Sequence, residues 1–196
     1  MRVFILIFCS TLIFSCKNKP SAVLSAEQII DKAIEQAGGE LYSCSHIDFV
    51  FRDRQYSMEY NENRKILKRI FEMDSSRVMD IRKNNSFVRK INDNQVIIPD
   101  SMARKYSNSV NSVHYFAYLP YGLNDRAVKK KLLGERKIKG QDYYVIEVTF
   151  DQQDGGEDFE DIYIYWINKE SFTPDFLAYE FHVDGGGMRF REAYNE

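Results

Sequence analysis

The sequence predicts an α+β fold, a curved antiparallel β-sheet (half-barrel) with helices packed on its concave face. Three observations lead to this prediction. Short segments in which apolar and polar residues alternate recur along the chain between turn residues. Two blocks of helical periodicity are present, one before the first strands and one in the middle of the chain. The order of helix, strands, helices and strands is typical of helices covering one face of an antiparallel sheet, which then curls around them.

The first helix is predicted to begin at a capping box, in which Ser25 is the N-cap and Gln28 is the third helical residue. Apolar residues then recur at helical spacing. These are Ile29, Ile30, Ala33, Ile34 and Ala37. Gly38 and Gly39 are expected to end the helix, because glycine adopts the left-handed conformation that is common after a helix C-terminus.

A first series of strands follows this helix. The predicted strands cover residues 47–52, 56–60, 66–71, 77–81, 87–91 and 96–98. Turn residues at 61–63 and 92–94 separate some of them, and Pro99 ends the series because proline lacks the N–H that a strand interior needs. Short strands joined in this way indicate an antiparallel meander.

A second helix is predicted from about Asp100, ending before Pro120 and Gly122. Its apolar residues share one face. They are Met102, Tyr106, Val110, Val113 and Ala117.

The rest of the chain is predicted to be one short helix and a second series of strands. The helix covers residues 126–133, with Asn124 or Asp125 as its N-cap and Gly134 at its C-terminus. The strands cover residues 135–138, 143–150, 162–167, 172–176, 178–183 and 188–194, with a hairpin turn at 139–141. Residues 162–167 are apolar or aromatic throughout, which indicates a strand covered on both faces.

The N-terminal residues indicate a lipoprotein. A positive residue precedes an apolar stretch of signal-peptide length, shorter than the roughly 20 residues that a membrane-spanning helix needs. Cys16 follows a serine and lies three residues after the apolar Ile13, as at the site where bacterial lipoproteins are cleaved and acylated. We expect a signal peptide over residues 1–15, lipid attachment at Cys16, a tether over residues 16–24 and one domain over residues 25–196. The alternative is an ordinary secretory signal or an uncleaved anchor, with Cys16 incidental.

Cys44 is then the only cysteine of the mature chain, so no intramolecular disulfide is expected. Two interpretations of Cys44 are open. It could be a nucleophile with His46 as its base, or it could be a small buried or half-buried side chain where a helix passes into a strand. We favour the second.

Composition and spacing argue against several functions. The formal net charge is −2 and no basic block is present, so nucleic acid binding is not expected. His46, His114 and His182 follow no metal-ligand spacing. The acidic residues of 151–161 lack the order of a calcium loop, which favours a solvated loop. We therefore expect no metal and no cofactor, and we predict no catalytic residue because neither Gly-x-Ser-x-Gly nor Ser-x-x-Lys occurs.

The most aromatic stretch, residues 115–121, lies between the second helix and a turn. Together with Trp166 it could line the mouth of an apolar pocket, with Arg189 or His114 holding a polar head group. The candidate ligand-binding residues are His114, Tyr118, Tyr121, Trp166 and Arg189. The alternative, favoured for any single one of them, is that these residues form the core between helix and sheet.

Three stretches, residues 105–125, 164–169 and 184–194, resemble an uncharacterised family of exported lipoproteins from Bacteroidota, and the likeness extends over the mature chain from about residue 27. In element order, that family is similar to the lipoprotein carriers and receptors of the outer-membrane sorting pathway, in which a curved sheet with helices at its mouth encloses an apolar cavity for acyl chains. The resemblance implies this fold and a comparable cavity. Members of the family continue for one or two strands after the part that matches residues 189–194, so the resemblance allows that this domain lacks its last strands.

The main functional hypothesis is a membrane-anchored, non-enzymatic module that binds an apolar or lipidic ligand or the acyl chains of lipoproteins. The alternatives are an envelope scaffold that binds protein or glycan, and a hydrolase whose residues are not recognisable. Lys17 follows Cys16 in place of the aspartate that retains lipoproteins at the inner membrane, and residues 17–19 lack the acidic run of surface-exported lipoproteins. We therefore expect an outer-membrane lipoprotein that faces the periplasm.

Overall fold

The computed structural model describes residues 24–61, 64–84, 86–152, 159–182 and 185–193. The predicted signal peptide, Cys16 and nearly all of the tether lie outside these ranges. The helices are α1 (Ala26–Gln36), α2 (Leu41–Cys44) and α3 (Asp100–Ala117), and a 3-10 helix covers Tyr121–Asn124. The strands are β1 (Ile47–Phe51), β2 (Arg54–Asn61), β3 (Arg64–Met73), β4 (Ser76–Lys83), β5 (Ser86–Ile91), β6 (Asn94–Val96), β7 (Val128–Ile138), β8 (Gln141–Phe150), β9 (Ile162–Asn168), β10 (Pro174–Phe181) and β11 (Gly187–Glu192).

The strands form two antiparallel sheets, each a meander in chain order. Strands β1 to β6 make the first sheet, and strands β7 to β11 make the second. Both sheets are curved and unclosed, so β1, β6, β7 and β11 are edges among the described strands. The predicted α+β class is confirmed, with the strands divided over two sheets.

Tight turns set the register of the hairpins. Arg52 and Asp53 connect β1 to β2 with φ values of 50° and 58°, and Lys139 and Gly140 connect β7 to β8 with φ values of 49° and 86°. Two successive positive φ values are the geometry of a type I′ turn, whose twist matches that of a hairpin. The hairpin predicted around residues 139–141 is therefore confirmed.

Helix α1 covers the second sheet. The Ser25 Oγ accepts a hydrogen bond from the Gln28 backbone N–H at 3.3 Å, and the Gln28 Oε1 accepts one from the Ser25 N–H at 2.9 Å, as the predicted capping box requires. Ile29 and Ile30 are fully buried in a core that includes Tyr165 of β9. Burying one such side chain contributes about 1.5–3 kcal/mol, so this apolar stripe holds α1 on the sheet.

Helix α3 packs on the first sheet through Val110 and His114, both of which are buried. Val110 belongs to a core that includes Met58 of β2 and Leu67 of β3. The face of α3 that packs on the sheet is rotated around the helix axis from the predicted apolar stripe. The packed face includes His114, which does not belong to the stripe. The predicted stripe residue Val113 instead faces the space between the two sheets.

The predicted helix over residues 126–133 is wrong, because strand β7 begins within this segment. Val128, Lys130 and Leu132 are half-buried and alternate with exposed neighbours, which is the period of a strand. The whole of β7 pairs with β8. A helix of only eight residues, by comparison, is marginally stable by itself. Gly134, predicted to end the helix, has a φ of 133° at a β-bulge that shifts the register of β7.

Two other predictions differ from the structure in detail. Residues 172–176 and 178–183 do not form two strands, since β10 runs unbroken from Pro174 to Phe181. Cys44, favoured as a buried or half-buried side chain, is exposed at the end of α2. His46, its suggested base, instead pairs with Asp48, with 2.7 Å between the His46 Nε2 and the carboxylate.

Candidate functional site

A cleft of about 1120 Å³ lies between the two sheets. Its walls come from β1 of the first sheet, from the second half of α3, and from one face of β9 to β11 of the second sheet. Two of its borders, β1 and β11, are edge strands. Because ligand pockets in proteins usually measure about 300–1,000 Å³, this cleft has room for a small molecule.

Rows of side chains across neighbouring strands build the wall that the second sheet contributes. Tyr163, Tyr179 and Arg189 lie opposite one another on β9, β10 and β11. The next row consists of Tyr165, Leu177 and Arg191. All six side chains line the cleft. The rings of Tyr163 and Tyr179 stack with centroids 5.2 Å apart, and such cross-strand aromatic pairs stabilise a sheet.

Helix α3 supplies another wall, with Val113, Phe116 and Ala117 at the cleft. The Phe116 ring contacts the Tyr179 ring, with centroids 5.5 Å apart. Phe49 of β1 extends the apolar lining on the side of the first sheet. The interior of the cleft is therefore mainly aromatic and aliphatic.

Tyr165, one of the lining residues, meets Tyr115 of α3, and their hydroxyl oxygens are 3.2 Å apart. Burial raises the pKa of Tyr115 to about 12 and raises the pKa of Tyr165 well above its usual 10.0, because a low-dielectric environment disfavours the phenolate. Both tyrosines are neutral near pH 7, so they offer hydrogen bonds and not a general base.

Charged side chains lie at the rim of the cleft. The arginines are Arg52, Arg189 and Arg191, and the acids are Asp161, Asp175 and Glu192. The Arg189 guanidinium carbon lies 4.9 Å from the centroid of the Phe181 ring, a cation–π contact. Cationic groups thus border an aromatic interior on the side of β11.

Of the five candidate residues predicted from the sequence, the structure places only Arg189 at the cleft. His114 and Tyr118 are 1% and 4% exposed in the core between α3 and the first sheet. The His114 Nδ1 is 2.9 Å from the Val110 carbonyl oxygen, and its Nε2 is 3.1 Å from the Ser57 carbonyl oxygen. Both ring nitrogens therefore face the backbone and not the cleft.

Tyr121 and Trp166 are also separate from the cleft lining. The Tyr121 ring stacks on Tyr42 of α2, with centroids 4.8 Å apart. Trp166 follows Tyr165 on β9 and so lies on the opposite face of the second sheet, where its ring contacts Phe190 with centroids 6.1 Å apart. The structure thus does not bring the five predicted residues together.

The tyrosines of β9 and β10 were missed by the sequence analysis. A signal for them was present in β9, where Tyr163, Tyr165 and Ile167 occupy one face and Ile162, Ile164 and Trp166 the other. Both sets are apolar or aromatic, so alternation alone does not say which face lines a cleft.

Within the described ranges, no three His, Cys, Asp or Glu side chains come close enough together to hold a metal ion. Over the same residues, no helix is both long enough and apolar enough to cross a membrane.

Two open antiparallel sheets, with helix α3 and an aromatic cleft between them, define the class of this protein as α+β with a lined cleft. The chain belongs to DUF6503, a family of unknown function, which matches residues 1–196. No curated protein matches the chain in sequence.

Solved structures with some likeness to this chain include three bacterial proteins. The LolA superfamily protein of Nitrosomonas europaea has a TM-score of 0.48 at 16% identity, over 85% of this chain and 75% of its own. The lipoprotein LppX of Mycobacterium tuberculosis has a TM-score of 0.34 at 10% identity, over 86% and 95%. A DUF1329 family protein of Desulfovibrio piger has a TM-score of 0.37 at 13% identity, over 86% of each chain. Likeness at this level says nothing about what the present chain binds.

Proposed function

We propose that this protein binds an apolar or lipidic ligand, such as the acyl chains of a lipid or of another lipoprotein, in the cleft between its sheets, and that it does so without catalysis. The observation that carries the proposal is the lining of the cleft, in which Phe49, Phe116, Tyr163, Leu177 and Tyr179 converge from four elements on one space of about 1120 Å³. A cleft lined in this way gives an apolar ligand side chains to pack against.

The expected gain from filling the cleft is large. Each buried methylene contributes about 0.8 kcal/mol, so about ten methylenes of an acyl chain contribute about 8 kcal/mol before the costs of association. The stacked pair of Tyr163 and Tyr179 supports this use, because its rings are held in place by neighbouring strands and lose little freedom on binding.

The proposal includes a location. Residues 1–15 act as a signal peptide, Cys16 carries the lipid, and residues 16–24 tether a domain over residues 25–196 to the outer membrane of a Bacteroidota cell, facing the periplasm. The support for this part is the sequence around Cys16 and the resemblance described above. A lipid-binding cleft close to a bilayer would have its ligand within reach.

A second candidate function is an envelope scaffold that binds a protein or a glycan on its surface. One observation favours it: Met188 and Phe190 on β11 are 76% and 55% exposed, and Val50 on the opposing edge β1 is 70% exposed. Exposed apolar side chains on edge strands are common at protein interfaces. A scaffold that binds through this surface would make no use of the cleft, and this difference separates the two candidates.

The two candidates are separated by a dye that fluoresces in apolar cavities. Purified protein carrying Cys16→Ser, which cannot be acylated, is titrated with the neutral dye N-phenyl-1-naphthylamine. We expect saturable binding that is abolished by Ala117→Trp, which fills the cleft from an exposed helix position, and is retained by the control Ser101→Trp at the other end of α3. Native mass spectrometry of protein extracted from membranes should show a carried lipid. If dye binding is absent, or equal in both variants, the cleft proposal fails.

A further inference from the structure

Two arginines of edge strand β11 face the cleft at alternate positions. Arg189 lies opposite Tyr179 and Arg191 lies opposite Leu177, so both side chains leave the strand on the face that lines the cleft. Residues two apart on one strand are about 6.7 Å apart, close enough for two guanidinium groups to reach one head group.

Neither arginine is engaged by a carboxylate in the described part of the chain. Arg189 lies over the Phe181 ring, and the Arg191 Nη1 donates to the carbonyl of its own neighbour Phe190 at 2.8 Å. By contrast, the arginines packed into the first sheet are paired, as Arg69 and Arg89 are with Asp80. The guanidinium groups of Arg189 and Arg191 are therefore available to a ligand at the rim.

The acids at the same rim already have other partners. Asp175 accepts hydrogen bonds from the Thr173 hydroxyl at 2.6 Å and from the Tyr143 hydroxyl at 3.0 Å. Glu192 pairs with Lys139, and Asp161 is only 6% exposed. None of these contacts engages Arg189 or Arg191, so their guanidinium N–H groups are charged donors that the rim offers to a ligand.

A third arginine borders the cleft from the other sheet. Arg52, in the turn after β1, has its guanidinium carbon 5.0 Å from the ring centroid of Phe51, and it has no carboxylate partner in the described part of the chain. Unpaired cations thus lie at both edge strands that border the cleft, while its interior is apolar.

From this arrangement we propose that the ligand is an anionic amphiphile, with a carboxylate or phosphate head group bound by Arg189 and Arg191 and an apolar part inside the cleft. The inference rests on the proposed function and names its ligand class. Guanidinium groups bind carboxylate and phosphate oxygens through paired, charge-assisted hydrogen bonds. The aromatic wall beside them lowers the local dielectric constant, which strengthens the attraction.

The test compares ligands that share a tail and differ in head group. Dodecanoic acid, dodecyl phosphate and dodecanol are used to displace N-phenyl-1-naphthylamine from the Cys16→Ser protein at low salt. We expect one or both of the anions to displace the dye at roughly tenfold lower concentration than the alcohol, which corresponds to the strength of a charge-assisted contact. Displacement by the acid alone assigns a carboxylate ligand, and displacement by the phosphate alone assigns a phosphate ligand.

The variant Arg189→Gln with Arg191→Gln should remove this preference, so that the anions and the alcohol displace the dye at similar concentrations, each measured against the variant's own dye affinity. Both side chains are exposed, so the change does not disturb a core. Replacing both arginines with lysine should keep part of the preference, since the charge stays while the paired geometry is lost. Arg136→Gln with Lys137→Gln, an equal charge change on exposed residues of β7, is the matched control.

The outcomes separate the two proposals. Equal displacement by the alcohol and both anions, or a preference that survives the glutamine variant, overturns the head-group assignment and leaves the cleft proposal standing. Absence of dye binding in the unmodified cleft overturns both.

Discussion

Arg69 donates two hydrogen bonds to Asp80 beneath α3, from Nε at 3.0 Å and from Nη2 at 2.6 Å. Arg89 donates to the same carboxylate, from Nε at 2.7 Å and from Nη2 at 2.9 Å. The Arg69 Nη1 also donates to the Ser109 hydroxyl of α3 at 2.8 Å. Asp80 is fully buried, so this carboxylate joins β3, β4 and β5 and lies under the helix that forms one wall of the cleft.

Replacing Asp80 with asparagine should destabilise the domain strongly. The change leaves two buried guanidinium groups without a counter-charge, and breaking a buried ion pair in this way typically costs about 3–5 kcal/mol. Urea unfolding, followed by circular dichroism, measures the loss. The matched control is Asp93→Asn, which breaks an exposed pair with Arg77 and should cost less than about 1 kcal/mol. Similar losses in both variants would show that the buried cluster is not a stabilising centre.

Stability should fall as the pH is lowered through the titration of His114. Burial lowers the pKa of His114 below its ordinary 6.5, more than the backbone carbonyls of Val110 and Ser57 raise it, and the charges of Lys65 and Arg82 lower it further. The unfolded state therefore binds a proton at a higher pH than the folded state does. The contribution of neutral His114 is complete above pH 6.5 and declines below it, down to the folded pKa.

The measurement is the free energy of unfolding at pH 7.5 and at pH 5.5 for the unmodified chain and for His114→Gln. We expect the glutamine variant to be less stable at pH 7.5 and to lose less stability on acidification. His46→Gln, at a side chain that is 52% exposed, serves as the control. The prediction would be contradicted if the free energy of unfolding changed equally between pH 7.5 and pH 5.5 in the unmodified chain and in His114→Gln.

Gly134→Ala should destabilise the domain through the backbone alone. The φ of Gly134 is 133°, a conformation that residues with a side chain rarely adopt, and no atom lies within 4 Å of where a Cβ would be. Strain of this kind costs about 1–3 kcal/mol. Gly122→Ala is the matched control, because an added Cβ there would meet Tyr115 at an ordinary 3.7 Å. A thermal melt in which the two alanine variants shift equally would argue against a strained bulge.

Cys16→Ser should abolish lipid attachment and leave an uncleaved precursor. Acylation needs the thiol, and serine differs from cysteine only in replacing sulfur with oxygen. Metabolic labelling with a palmitate analogue, together with phase separation in detergent, measures both effects. Cys44→Ser, which alters the exposed cysteine of the domain, should be labelled normally. Palmitate labelling that persists in the Cys16→Ser chain would exclude this residue as the attachment site.

Elements that depend on local interactions were predictable from the sequence. The capping box of α1 involves residues three apart, so Ser25 and Gln28 identify the helix start without any knowledge of the fold. The Lys139–Gly140 turn is similarly local. Strand β7 was not predictable in this way, because residues 128–133 resemble a helix in composition and only their pairing with β8 makes them a strand.

The cleft depends on contacts between distant parts of the chain, which explains why only Arg189 of the five predicted residues lies there. His114 is predicted from the sequence to hold a polar head group, yet both of its ring nitrogens face backbone carbonyls inside the core, where the neutral ring donates its single N–H to one of them. The choice between Trp166 and Tyr165 depends on which face of β9 turns toward α3. That choice is set by the packing of the second sheet and not by the alternation within one strand.

The two edge strands that border the cleft have a consequence for the width of its opening. Strands β1 and β11 each hydrogen-bond to a single neighbour in the described structure, so no ladder joins the first sheet to the second across the opening. The width of the gap is therefore set by side-chain packing, such as the contact of Phe116 with Tyr179, and not by a backbone hydrogen-bond ladder. An occupant that changed the width of the opening would therefore act on these side-chain contacts and leave the ladders of both sheets intact.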